Sequence, residues 1–475
     1  MTHVSHSRAE LTFFAALAGG AAILLLPRLA NRRRTRPAPV RCRVVVIGAG
    51  FGGLQAALRL ARQRDIDLTV IDAHNHHLFQ PLLYQVATAA LSPSDIASPL
   101  RGIVPASDRT HVLIETVTGV DTQARQVVCG TRLVPYDELI IATGSQLSYF
   151  GHEAWAEAAP GLKTLEDALS LRHRVLAAFE QASVAENDRD QARCLTFVLI
   201  GAGPTGVEMA GSIAELARDL LAHDYAMKLK RARIVLIEAG PRVLEAFPPD
   251  LSRNAADALA ELGVDIRTGT RVTGIETGMV HLGAETIPAQ TIIWTAGIAA
   301  TPVASWLDIK PGHGGRVAVD AALRVAGQSA VHVIGDAALA LDTHGKALPG
   351  LAPVAKQQGA YVARVILRRL RGRRPLPPFS YRDYGNLATI GRNKAVAEFG
   401  SVHLTGFPAW LTWAAAHIFF LISFRNRVMV SAQWAFAYAT HERAGRLIIK
   451  RLQWRQTTGA SPTLRPAQPP VANPG

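Results

Sequence analysis

Residues 43–53 read RVVVIGAGFGG, an apolar run that ends in Gly48-x-Gly50-x-x-Gly53 and continues as LQAALRLARQR, apolar at helical spacing. A strand that turns through three glycines into a helix is suited to a pyrophosphate. The first glycine permits the tight turn, the second lets the backbone approach the phosphates, and the third lets the helix pack on the strand. The helix N-terminus then offers N–H groups to the anion. A second strand, LTVID, ends 24 residues after Gly48 in Asp72, where a carboxylate can accept hydrogen bonds from a ribose diol.

The pattern recurs 153 residues further on. TFVLIGAGPTG (196–206) carries Gly201-x-Gly203-x-x-Gly206, followed by the helical VEMAGSIAELARDLL and a strand, IVLIE, ending in Glu238. One such loop is a weak signal. Two, each in strand–turn–helix context with an acidic partner, predict two dinucleotides on one chain: a flavin, FAD, and a nicotinamide nucleotide. Glu238 favours NADH, because a carboxylate repels the 2′-phosphate of NADPH, although Arg242 lies nearby.

β-rich runs at 44–47, 69–71, 139–141, 196–200, 234–237, 291–294 and 331–334 alternate with helical stretches. Near-continuous apolar strands spaced by helices imply parallel sheets covered on both faces. The expected fold class is α/β: two Rossmann-like dinucleotide-binding domains, for FAD and NADH, plus a C-terminal membrane-attachment region. The expected boundaries are an N-terminal apolar segment and basic linker at 1–40, an FAD-binding domain in two parts at 41–155 and 291–345, and an NADH-binding domain at 156–290. A C-terminal region at 346–455 opens with a basic helix over 361–374, and 456–475 reads as a disordered tail. Two strand ends add candidates. LIIATGS (139–145) delivers Thr143 and Gly144, and VHVIGDAA (331–338) delivers Asp336, either to the sugar-like chain of a flavin or as an ordinary helix cap.

The 475 residues hold 51 Lys+Arg against 37 Asp+Glu, a net +14 that invites a nucleic-acid reading. The charge is not evenly spread: residues 1–40 carry +5, residues 341–475 carry +15, and residues 41–340 carry −6. Nucleic acid drops out, and an anionic lipid surface takes its place. Residues 11–26 are uncharged and followed by Arg28, Arg32, Arg33, Arg34 and Arg36, which suggests an uncleaved anchor with the rest cytoplasmic; a poorly ordered leader and a transit peptide are the alternatives. Residues 407–424 lack Asp, Glu, Lys and Arg, and precede a second apolar stretch (428–439) and a basic run (443–455). Apolar area plus basic charge suits attachment to the cytoplasmic face of the cell membrane, with a buried core helix as the alternative. Cys42, Cys129 and Cys194 are too dispersed for a CxxC or a metal cluster, and His76 and His77 lack a third ligand, so no metal is expected.

Beyond these readings, the chain resembles the type II NADH:quinone oxidoreductases, also called alternative NADH dehydrogenases, over roughly residues 42–455. The resemblance rests on GAGFGG, HHLFQPLLYQVATAALSPSDIASPLR (76–101), YDELIIATGS (136–145), GAGPTGVEMAG (201–211), IEAGPRVL (237–244), IIWTAGI (292–298), VIGDAA (333–338), LAPVAKQQGAYVA (351–363), ATIGRNKAV (388–396) and HIFFLISFRNR (417–427). It implies that NADH passes a hydride to FAD and that two electrons then reach a membrane quinone, ubiquinone or menaquinone, without proton pumping. It adds Phe51, Gly52, Gly297 and Gly335 to the cofactor-binding set. It also implies that Gln357 hydrogen-bonds a quinone carbonyl, although Pro353 stands where the family's motif has a second glutamine. Glu208 matches a family glutamate near the flavin–nicotinamide interface, able to couple the sites or relay a proton; a favourable interaction with the helix dipole is the alternative. A homodimer is left open. Rivals on the same fold are a sulfide:quinone or ferredoxin-type reductase, and from another class a low-turnover redox sensor.

Overall fold

The computed structural model describes residues 41–225, 231–440 and 445–448. The expected N-terminal anchor, most of the basic run 443–455 and the tail lie outside the described residues.

The first sheet is built around Cys42–Ile47, which pairs in parallel with Ile66–Asp72 on one side and Glu138–Ile141 on the other. Thr110–Ile114 extends it beyond Ile66–Asp72, and Gln328–Val333 returns from far along the chain to lie beside Glu138–Ile141. Successive residues of the central strand serve two different cores. Val44 and Val46 pack with Leu54 and Ala57 of the helix Phe51–Leu60 and with Val362 and Ile366 of the helix Ala352–Leu370. Val45 and Ile47 pack on the other face with Val127 and Val134 of a small antiparallel ribbon. Both faces are covered, which is why the strand reads as an unbroken apolar run.

The second sheet repeats the plan around Thr196–Ile200, flanked by Arg233–Ile237 and Thr291–Trp294, with Val264–Arg267 outermost, all parallel. Thr291–Trp294 corrects the expected border at 290. It belongs to the second sheet, and the chain crosses back only afterwards, through the antiparallel pair Ser145–Leu147 and Ile298–Ala300. TIIW has the pattern of any buried strand, so only its pairing decides its sheet. The basic helix also differs from expectation, running over Ala352–Leu370 and ending before Gly372 and the prolines.

Beyond the Pro-rich link at 375–378, Asn386–Gly391, Lys394–Phe399 and Val402–Thr405 form an antiparallel sheet on the helix Pro204–His223. The approach is so close that a Cβ at Gly211 would overlap the carbonyl of Ile390. The apolar run 407–424 is not one helix. Gly406–Phe420 stops, Ser423 takes φ +76°, and Phe424–Thr440 starts anew. Among the described residues no helix is long and apolar enough to cross a membrane. Trp413 is buried in this hairpin, whereas Phe419, Phe424 and Phe436 face outward, Phe424 70% exposed. The hairpin is seated on the 76–101 stretch: the Trp434 indole donates to Gln85 Oε1 at 2.8 Å, and Asn426 Nδ2 donates to Ser98 Oγ at 3.3 Å.

Candidate active site

Gly48 sits at φ +90°, a conformation that favours glycine, and a Cβ there would overlap the carbonyl of Ala142 on the neighbouring strand. A Cβ at Gly53 would overlap the carbonyl of Gly48, so the helix starts in contact with the turn. At Gly50 a Cβ would meet nothing within 4 Å, which leaves that face of the backbone open to a ligand. The Asp72 carboxylate accepts from the Ala49 N–H at 2.6 Å and the His74 N–H at 2.8 Å, fixing the loop against the next strand.

Behind the loop opens a cavity of about 580 Å³. Gly48, Gly50, Phe51, Gly52, Asp72, Thr143, Gly144, Gly335 and Asp336 line it, while Gly53 lies beneath as packing. The helix Ala352–Leu370 roofs it. Ala355 places its carbonyl 3.0 Å from where a Gly52 Cβ would stand, and a Cβ at Gly359 would overlap the Gly52 carbonyl. Buried Gln358 of this helix accepts the Gly335 N–H at 2.7 Å. Gly297 is different: it does not line the cavity but is crowded by the Phe150 ring at the crossover between sheets.

A polar string that no sequence motif joins runs through this cavity. Lys163 Nζ donates to Ser145 Oγ at 2.8 Å, and Ser145 Oγ donates to Asp336 Oδ2 at 2.7 Å. Burial holds the Lys163 ammonium below its ordinary lysine value, and the Asp336 carboxylate opposes that shift. The three residues come from distant parts of the chain: Asp336 is a candidate from its strand end and Ser145 directly follows Thr143-Gly144, but Lys163 carries no motif. A glycine cradle with one open backbone face, a deep cleft and a carboxylate at its far end suit FAD. Gly48–Gly53 would hold its pyrophosphate and Asp336 its sugar-like chain.

The second loop repeats the wiring. Gly201 has φ +104°, a Cβ at Gly206 would overlap the Gly201 carbonyl, and Gly203 faces open space. Glu238 accepts from the Ala202 N–H at 2.6 Å and the Gly240 N–H at 2.8 Å. Thr205 of this loop borders the first cavity. The Arg242 guanidinium is occupied within its own turn, donating to the carbonyls of Phe247 at 2.8 Å and Glu245 at 2.7 Å.

Glu208 is the fifth residue of the helix Pro204–His223, on its second turn, and faces the C-terminal sheet. Burial pushes its carboxyl up to about 8, with a backbone hydrogen bond from Thr389 working the other way. It is therefore largely neutral at pH 7, which removes the helix-dipole explanation. It borders a pocket of about 140 Å³ with Trp410, Trp413 and Trp434 of the hairpin. His77 is a core residue and not a loop side chain: Nδ1 lies 2.8 Å from the Ala49 carbonyl, and burial lowers it to about 4. The Gln357 amide is turned away from the cavity. Its Nε2 donates to the Arg382 carbonyl at 2.8 Å and its Oε1 accepts the Arg382 N–H at 3.0 Å, stapling the roof helix to the segment beyond the Pro-rich link.

The fold and site define an FAD-dependent pyridine nucleotide oxidoreductase. Residues 42–359 match the family model described as pyridine nucleotide-disulphide oxidoreductase, and residues 384–439 match the NDH2 C-terminal domain. The chain is 40% identical over 431 residues to the type II NADH:quinone oxidoreductase Ndh of Mycobacterium tuberculosis, covering 87% of this chain and 92% of that one. NDH2 from Plasmodium falciparum, solved in complex with NADH, superposes at TM-score 0.79 and 20% identity, over 86% of this chain and 100% of that one. The sulfide:quinone oxidoreductase of Aquifex aeolicus superposes at 0.63 and 21% identity, over 81% of this chain and 92% of that one. At such identities the two structures speak for the fold alone. This chain belongs to the type II NADH:quinone oxidoreductase family, enzymes that carry electrons from NADH through FAD to quinone without pumping protons. The cysteine chemistry of its rivals finds no footing here: Cys42, Cys129 and Cys194 are free, buried and packed in three different cores, and burial raises all three thiols.

Proposed function

We propose that the first glycine loop with Asp72 and Asp336 holds FAD and the second with Glu238 holds NADH. In this reading the apolar hairpin of Gly406–Phe420 and Phe424–Thr440 rests on a membrane, so that quinone reaches the site without crossing water. The observation that carries the reading is the cavity behind the first loop, bordered by Thr205 of the second. Bound FAD supplies a centre that accepts a hydride and passes electrons on in pairs. The chain orients the two partners and excludes water between them. Hydride transfer needs no general base, but quinone reduction consumes protons, and a carboxyl held near 8 at Glu208 keeps one available at neutral pH. Outward-facing Phe419, Phe424 and Phe436 supply apolar contact, and each basic residue near an anionic surface adds about 1 kcal/mol.

Anaerobic mixing tests the electron path. NADH should bleach the flavin absorbance and a short-chain ubiquinone should restore it; a flavin that stays bleached overturns the reading. Membrane attachment is tested by co-sedimentation with vesicles containing anionic phospholipid. The hairpin assignment fails if replacing Phe419, Phe424 and Phe436 with Ser leaves the bound fraction unchanged.

A further inference from the structure

The residue beside Gln357 is better placed for the quinone. Lys356 leaves the roof helix next to Ala355, which lines the flavin cavity, and its ammonium lies 5.6 Å from the ring centroid of Phe51 and 4.7 Å from that of Phe420. Phe51 lines the cavity; Phe420 is 37% exposed at the end of the first hairpin helix. Lys356 therefore stands where the flavin cleft meets the apolar surface. It is a costly place for a cation. Burial lowers its ammonium below the ordinary lysine value, Arg427 adds repulsion, and among the described residues no carboxylate pairs with it. A half-buried ammonium whose partners among the described residues are two aromatic faces retains N–H groups for a guest that brings electron density.

We propose that Lys356, and not Gln357, is the polar group that contacts the quinone, donating a hydrogen bond to one carbonyl oxygen between the rings of Phe51 and Phe420. This rests on the reading that quinone enters along the apolar hairpin. In the overall reaction NADH gives up a hydride and becomes NAD⁺, one further proton comes from water, and the two quinone C=O groups become the two C–O–H groups of the quinol. Charge grows on the quinone oxygens as the electron pair arrives. Lys356 opposes that charge and is unchanged at the end of the cycle. A preorganised donor aimed at developing negative charge is most effective where water is excluded. Gln357 is a positioning residue that holds the roof helix to Arg382.

The test uses the full-length flavin-loaded enzyme and its Lys356→Met, Lys356→Arg and Gln357→Leu variants, with short-chain ubiquinone and with ferricyanide, an acceptor that takes single electrons and has no carbonyl to bind. Visible spectra first establish that each variant retains its flavin. Lys356→Met should lose roughly tenfold to a hundredfold in kcat/KM for quinone, Lys356→Arg should recover most of it, and ferricyanide rates should fall far less. Wild-type quinone kinetics in Lys356→Met, or equal losses with both acceptors, overturns the proposal. If the wild-type enzyme reduces ferricyanide but no quinone, the quinone-site reading itself falls, and the Lys356 role with it.

Discussion

The two glycine loops are wired almost atom for atom alike, and they differ in what lies above them. In each, a glycine with φ near +100° turns against a neighbouring strand, a third glycine touches the first, and a carboxylate on the next strand holds two backbone N–H groups at 2.6 and 2.8 Å. Over the first loop the helix Ala352–Leu370 closes at Gly52; at the second, Pro204 and Thr205 remain exposed. The C-terminal sheet meets the second helix only further along, from Glu208 to Gly211. On the proposed assignment the same motif would serve a cofactor that stays and a substrate that must leave, the difference being made by covering structure outside the motif.

The largest effects are expected from inserting a side chain where each helix meets its turn. Gly53→Val should yield protein without flavin, whereas Gly206→Val should keep its flavin and lose roughly fivefold to a hundredfold in NADH affinity, since overpacking costs roughly 1–3 kcal/mol. Flavin content and NADH titration read the two effects, and the asymmetry fails if Gly206→Val also purifies without flavin.

Glu208 sharpens the contrast from another side, because the matching position on the first helix, 153 residues earlier, is neutral Gln55. Its folded pKa lies near 8, against an ordinary value of 4.5. As pH rises between those values the unfolded chain releases this proton while the folded one keeps it, so wild-type stability falls by up to a few kcal/mol. Glu208→Gln lacks this loss. Its advantage in melting temperature should grow from pH 5 to pH 8 and then level off; an advantage independent of pH would refute the assignment.

Next in size are the loop carboxylates. Asp72→Asn and Glu238→Gln each weaken charge-assisted bonds to the loop, at roughly 1.5–3 kcal/mol. The first should accelerate flavin loss on dilution and the second should raise the KM for NADH, with the opposite pairing as the contrary result. Arg242→Ala should matter least. Its guanidinium is engaged by its own turn, so the preference for NADH over NADPH should shift less than about twofold while stability drops by about 1 kcal/mol.

Both loops, their acidic partners and most strands were legible because their signals are local: a glycine spacing, an apolar run, a carboxylate at a strand end. What escaped depends on pairing across distance. The Lys163–Ser145–Asp336 string joins three segments with no shared motif, Thr291–Trp294 looks like a strand of either sheet, and His77 reads as a surface loop until the core closes around it. Gln357 carried a motif-level expectation, but its neighbour Lys356 holds the position between Phe51 and Phe420. Helical phase near a broken apolar run decides which of two adjacent residues faces the site, and Ser423 hides that break in sequence.

The roof over the first loop also sets an order of assembly. Gly52 is synthesised roughly 300 residues before its partner Gly359, about 15–60 s at ordinary ribosomal speeds. For that interval the first loop has no cover, and once the roof helix docks, its backbone stands in contact with Gly52. FAD present during translation would then meet the first loop before its cover does.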